Sequence, residues 1–342
     1  MIATPYLLYL GHSNDEIGIK TSRGLAVFRP DICVGEFRHD DCGLTLGLPR
    51  LDFAAARDAG ARTLVLGIAN AGGRLGNDLV EDALAAMEAG LDIASGLHQR
   101  LKDEPRLVAA AARLGRTLHD VRDPRPDIPV GTGRRRAGKR LLTVGTDCSV
   151  GKMYTTLCLA RALQARGVQA DFRATGQTGI LIAGDGVPLD AVVADFISGA
   201  IEQISPDRTD GGWDLIEGQG SLFHPSFAGV STGLLHGAQP DALVLCHDPM
   251  RRTMRGLPHY QPPRLDDCLE ANLRAARLTN PQVRAVGIAL NTSAMDAAQA
   301  ADLCARTADM FGLPCSDPYR MGVDAMVDLL LAMDAPAATE TI

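Results

Sequence analysis

The chain has 342 residues, of which 46% are hydrophobic and 22% charged, enough for two ordinary domains with packed cores. A net charge of −7 and an isoelectric point near 5.6 argue against a broad nucleic-acid surface, and 4% aromatic residues are too few for a surface that stacks bases or sugars. No stretch offers the 18 clean apolar residues of a membrane span, and the N-terminus lacks the basic region and cleavage site of a signal peptide.

The first half alternates strand-like and helix-like segments. Apolar runs at 6–11 and 62–70 read as strands. At 78–90, Leu79, Val80, Ala83, Leu84 and Met87 recur at helical spacing and Gly90 stops the helix. A strand at 91–96, a helix at 105–115 and a strand at 117–122 follow. This β-α order predicts a parallel, Rossmann-like sheet. A Pro-, Gly- and Arg-rich stretch at 123–139 has no apolar periodicity, so the boundary falls there, giving domains 1–128 and 129–342. Its basic run "GTGRRRAGKR" (131–140) reads as a solvated loop between domains.

The second half restarts the alternation. Strands are expected at 141–146, 168–176, 213–222, 242–249 and 284–293. Helices are expected after the loop at 145–152 and at 189–204, 265–279 and 297–312, with 322–333 closing the chain. Eight cysteines show no paired C-x-x-C spacing, and Cys158, Cys246 and Cys304 sit inside apolar runs as small core residues. The pattern is that of a reduced, cytoplasmic protein.

The segment "LLTVGTDCSVGKMYTTLCLARAL" (141–163) is the most informative. Strand, glycine turn, Gly-Lys pair and helix are the context of a phosphate-binding loop, although five residues rather than four separate Gly145 from Gly151. Small residues turn successive backbone N–H groups inward and the helix adds its positive end, so Gly145, Thr146, Cys148, Ser149, Val150, Gly151, Lys152, Met153 and Tyr154 are candidate ligand-binding residues. Met153 is the departure. Magnesium nucleotides are held there by a hydroxyl, and a thioether is a poor ligand for a hard cation. The loop therefore reads as gripping a pyrophosphate without splitting it, which suits coenzyme A, and no metal is expected.

Two motifs, "GTDCSVGK" and "LIEGQGSL" (215–222), resemble the dethiobiotin synthetase and cobyrinic-acid amidase branch of P-loop proteins. Longer strings are more specific: "LGIANAGGRL" (66–75), "EAGLDIASGLHQRL" (88–101), "FRATGQTGILIAGDGVPLDAVVADFISGAIE" (172–202), "EGQGSLFHPSF" (217–227) and "LPCSDPYR" (313–320). Together they resemble the two-domain P-loop family that includes the bacterial D-glutamate N-acetyltransferase. The resemblance covers nearly the whole chain. It implies acetyl transfer from acetyl-CoA to D-glutamate, as a step in D-glutamate breakdown, on a fold unlike the usual acetyltransferase. Rival expectations are an ATP-dependent kinase or ligase like dethiobiotin synthetase, and a nucleotide-binding regulator without turnover.

Several side chains are candidates for the chemistry. Glu217 ends a strand beside the loop and is open to three readings: general base on the attacking amine, brace of the loop, or metal ligand. Asp147 and Asp195 are further acid candidates, with Asp147 expected to point away from a phosphate. Arg173, Gln177 and Thr178 fall at a sheet edge where substrates bind, and Arg173 is placed to clamp a carboxylate. His224 is a candidate hydrogen-bond donor to substrate, Arg251 a cation for a phosphate or dicarboxylate, and Asn291 a contact for adenine. The partners expected are acetyl-CoA and D-glutamate, with no nucleic acid and no membrane, in a homo-oligomer.

Overall fold

The computed structural model describes residues 2–68 and 71–333. The last two residues of the strand expected at 62–70, and the Ala-rich tail after 333, lie outside these. The apolar run at the start forms β1 (Tyr6–Gly11), buried along its whole length. A strand apolar on both faces belongs inside a parallel sheet covered on both sides. The chain continues through α1 (Lys20–Phe28), β2 (Cys33–Arg38), α2 (Phe53–Asp58), β3 (Thr63–Leu66), α3 (Asn77–Glu88), β4 (Asp92–Ser95), α4 (Pro105–Leu114) and β5 (Leu118–Asp120). The strands stand in the order β2-β1-β3-β4-β5, all parallel. Helix α4 shows why the boundaries fall where they do. Glu104 accepts from the Arg106 N–H, Pro105 opens the first turn, and Gly115 takes the left-handed conformation that ends it, with φ 65°.

The chain then runs through β6 (Lys139–Gly145), α5 (Lys152–Ala165), β7 (Ala170–Arg173), α6 (Gln177–Ala183), α7 (Ile197–Ile204), β8 (Trp213–Ile216), α8 (Ala228–Ala238), β9 (Ala242–His247), α9 (Leu265–Arg277), β10 (Arg284–Leu290), α10 (Ala297–Phe311), β11 (Cys315–Ser316) and α11 (Asp324–Ala332), whose strands form a second sheet. Its strand order is β11-β10-β9-β6-β8-β7, again all parallel. Its core is Leu141, Leu159, Leu163, Trp213, Leu215, Val244 and Val286, with Met326 and Leu330 of α11 against them.

Packing divides the chain into Met1–Pro124 with Gly176–Ala191, and Arg125–Thr175 with Val192–Ile342. A single cut between 128 and 129 therefore misses one excursion: after β7 the chain returns to the first unit for 176–191. Helix α6 is held there by the Thr21–Thr178 hydroxyl pair at 2.9 Å and by an Arg29 Nη1 bond to the Ile182 carbonyl at 2.8 Å. The same excursion breaks the helix expected at 189–204. Leu189–Ala191 and Ala194–Phe196 are short 3₁₀ turns, and the α-helix starts only at Ile197. Leu189 is fully buried while Val193 is 66% exposed, because the run passes from one packing unit to the other and its apolar residues do not serve one face.

The basic run 131–140 also differs from a solvated loop. Glu202 accepts from the N–H groups of Thr132 and Gly133 at 2.9 Å each. Arg136 is buried on the carbonyls of Ser205 and Gly237, and Arg140 is fully buried on the Ser205 hydroxyl (3.0 Å) and the Ala137 carbonyl (2.8 Å). A buried guanidinium needs acceptors in place of water. Arg140 engages all three of its nitrogens and Arg136 its two terminal ones, mostly on backbone carbonyls.

Candidate functional site

Strand β6 delivers the chain into the turn Thr146–Gly151. Gly145 is required at its start: a side chain there would meet Val150 Cγ2 at 2.8 Å and Lys152 Nζ at 3.2 Å. Ser149 and Gly151 take left-handed conformations, with φ 54° and 101°. The turn leads directly into the 14 residues of α5. Among the described residues, the N–H groups of Ser149, Val150, Gly151 and Lys152 have no hydrogen-bond partner. Unpaired donors at the positive end of a helix make an anion site.

Lys152 is 6% exposed and its ammonium donates to the carbonyls of Asp147 (2.7 Å) and Gly220 (2.9 Å). Burial lowers its pKa below the usual 10.5. Neither neighbouring threonine replaces the hydroxyl missing at Met153. Thr155 donates to the Gly151 carbonyl at 3.0 Å, and Thr156 is fully buried between the Lys152 carbonyl (2.8 Å) and the Thr143 hydroxyl (2.9 Å).

The acidic strand end lies against the same lysine. Glu217 follows β8 and is 4% exposed, with Oε2 accepting from the Thr175 N–H at 2.9 Å. The Thr175 hydroxyl donates to the Glu217 carbonyl at 2.6 Å and receives the Gln219 amide at 3.1 Å. At Gly218 an added Cβ would sit 1.8 Å from the Thr143 carbonyl and 2.8 Å from Lys152 Cδ, so only glycine lets β8 turn here.

Comparison with known proteins matches this architecture in both halves. Residues 36–124 fit the model described as a domain of unknown function (DUF1611_N), Rossmann-like domain, and residues 129–327 fit the DUF1611_C P-loop domain. The chain belongs to the DUF1611 family. A protein of Tritonibacter scottomollicae named D-glutamate N-acetyltransferase is 51% identical, with 97% of this chain and 100% of that one covered. A protein of the same name from a Pseudoalteromonas species is 50% identical, covering 95% and 98%. The crystal structure of a DUF1611 family protein from Anabaena variabilis is 33% identical, with a TM-score of 0.88, covering 96% and 100%.

In this DUF1611 chain several candidate residues turn out to brace the loop. Asp147 is fully buried and accepts from Arg251 Nη1 (2.8 Å), the Arg255 N–H (2.8 Å) and the Cys148 N–H (2.6 Å). A carboxylate so engaged is a strut, not a proton acceptor. Arg251 also reaches the carbonyls of Cys148 (3.1 Å) and Ser149 (3.2 Å), which commits it to the loop and not to a substrate carboxylate. Arg255 holds the Ser149 hydroxyl. Thr146 pairs with His247 Nδ1 at 2.9 Å, and Ser221 donates to the Thr146 carbonyl at 3.1 Å.

His224 differs from the expected substrate donor. It is 1% exposed, accepts from the Ser226 N–H at Nδ1 (3.2 Å) and faces the Arg255 carbonyl with Nε2 (3.0 Å), so both nitrogens are used. A potential metal donor from each of Asp147, Cys148 and His224 lies within 4.8 Å of the others, but these same bonds occupy the histidine and the aspartate.

Arg173 is likewise committed, to Asp214 at 2.8 Å and Asp171 at 3.2 Å; its guanidinium lies back along β7 toward its own sheet. Gln177 and Thr178 belong to α6 in the first unit, where Gln177 packs on Gly96 and Thr178 is buried against Thr21. Asp195 is exposed in the turn before α7. Asn291 remains at the loop: its Cβ lies 4.0 Å from the position a Gly151 Cβ would take, and its Oδ1 accepts from the Ser293 N–H at 3.3 Å. Tyr154 packs edge-on against Tyr319, with centroids 5.9 Å apart. Thr175, which holds Glu217, and Gln219, which donates to the Thr175 hydroxyl, were not marked by any spacing in the sequence, because they act through strand ends that only the sheet brings together.

Proposed function

We propose that this chain transfers the acetyl group of acetyl-CoA to the amine of D-glutamate. The relatives at 51% and 50% identity, both named D-glutamate N-acetyltransferase, support the reaction. The structural observation that carries the reading is the loop itself. It keeps a row of unpaired N–H groups and a buried lysine, yet offers no hydroxyl where a nucleotide-splitting enzyme holds its magnesium. Such a loop binds the pyrophosphate of CoA as a handle while chemistry proceeds at the thioester. This disfavours an ATP-dependent kinase or ligase.

In the proposed step the neutral amine of D-glutamate attacks the thioester carbonyl. The C–N bond forms, the C–S bond breaks, and CoA leaves as the thiolate, which takes up a proton. Glu217, held by Thr175 at the loop, accepts the amine proton. Lys152 and the loop N–H groups fix the donor. The enzyme works on these small molecules in the cytoplasm, as a homo-oligomer, without a metal. The test is Glu217→Gln, which keeps the shape and removes the base. Turnover is expected to fall at least about a hundredfold, the usual worth of a general base, while calorimetry shows acetyl-CoA binding unchanged. Full turnover in this variant would remove Glu217 from the mechanism.

A further inference from the structure

The chain contains eight phenylalanines, and three of them face solvent among the described residues: Phe196 at 36%, Phe223 at 37% and Phe227 at 43%. All three belong to the second packing unit, and the segment after β8 links Phe223 and Phe227 to the phosphate loop. The Gly220 carbonyl receives Lys152, and a Cβ added at Gly220 would lie 2.9 Å from the Phe227 carbonyl and 3.1 Å from Phe227 Cβ. The Phe223 N–H donates to the Ser221 hydroxyl at 3.2 Å, and that hydroxyl in turn donates to the Thr146 carbonyl.

Phe227 immediately precedes α8, and Phe196 immediately precedes α7. The two helices run in the same direction in close contact. Gly233 meets Ile197, where an added Cβ would sit 2.7 Å from Cγ2, and Gly237 meets Ile201, where it would sit 2.9 Å from Cβ. Their aromatic N-terminal ends therefore lie toward one end of the helix pair. Exposed aromatic groups gathered beside a polar loop mark a binding surface.

The sheet order says which ligand part reaches them. Asn291 follows β10, on the β9 side of β6, while Glu217, Phe223 and Phe227 follow β8, on the other side, and Phe196 joins them through the contact of α7 with α8. A linear ligand gripped at a central pyrophosphate has one end on each side of the loop. We propose that Phe196, Phe223 and Phe227 form the track for the acyl-pantetheine arm of the CoA thioester. The arm's methylene and gem-dimethyl groups pack on the rings, and its thioester is brought to the Glu217 side. The assignment rests on the reading of the loop as a CoA site.

The test uses the full chain and two ligands: acetyl-CoA, and ADP without magnesium, which has the adenine and pyrophosphate but no arm. In Phe196→Ser/Phe227→Ser, calorimetry is expected to show a Kd for acetyl-CoA raised about tenfold, the worth of a partly buried phenyl ring. The Kd for ADP should stay the same, which also reports that the loop is folded. Phe227→Leu should restore most of the loss. Unchanged acetyl-CoA affinity in the double variant, with ADP still bound, overturns the track. So does an equal loss for both ligands, or a change of oligomeric state at unchanged affinity, which would make the patch an interface between copies. If neither ligand binds the wild-type chain, the CoA reading of the loop fails first, and the track with it.

Discussion

Lys152 occupies an unusual position: an ammonium buried beneath a turn, held by two carbonyls, with its pKa lowered by burial. Below that lowered value the charge is present for a phosphate. As the pH rises through it toward 10.5, the charge is lost earlier than on a free lysine. Acetyl-CoA affinity is therefore expected to weaken across this window, with protons taken up on binding. Lys152→Ala should bind roughly 10- to 150-fold more weakly, the worth of a charged hydrogen bond, and lose this pH dependence. Calorimetry across the pH range checks both; an unchanged pH profile in the variant would assign the effect elsewhere. The same shift has an opposite sign for folding. The unfolded lysine keeps its proton longer, so the unliganded chain gains stability as pH rises through the window.

At the scale of elements, the loop is a turn fixed from three sides: Asp147 through Arg251 and Arg255, Thr146 through His247, and Lys152 through Gly220. The sequence made the loop legible, because strand, glycines, lysine and helix are local in the chain. It did not make the struts legible. Asp147, His224 and Arg251 are residue types that also bind substrates, and only their long-range partners show that they bind the protein. Arg173 is a second case. It joins Arg208 and Ser205 on the fully buried Asp214, at 2.8, 2.8 and 2.7 Å. Removing one partner of a buried charged network leaves the rest uncompensated. Asp214→Asn is expected to cost about 3–5 kcal/mol of stability by denaturant titration. Arg173→Gln should leave the KM for D-glutamate unchanged, whereas a large rise in KM would return Arg173 to the substrate site.

For the whole molecule, the alternation of apolar runs and amphipathic helices was enough to read two parallel α/β sheets, since such periodicity is set by which faces are buried. The excursion 176–191 was not readable that way. Its apolar residues Ile182 and Leu189 look like any others in a helical or loop segment, and which core they enter is decided by tertiary packing. The proposed chemistry, by contrast, depends on two short motifs that are each local in the chain, Gly145 to Met153 and the strand end at Glu217. Its central statement is that the loop holds a CoA thioester and splits no phosphate. The most direct measurement is thiol release from acetyl-CoA with D-glutamate, in the presence of EDTA and without ATP, with the product identified by mass. The expected result is one CoA thiol per N-acetyl-D-glutamate formed, unaffected by chelation. Absence of thiol release, together with magnesium-dependent release of phosphate from ATP, would contradict it.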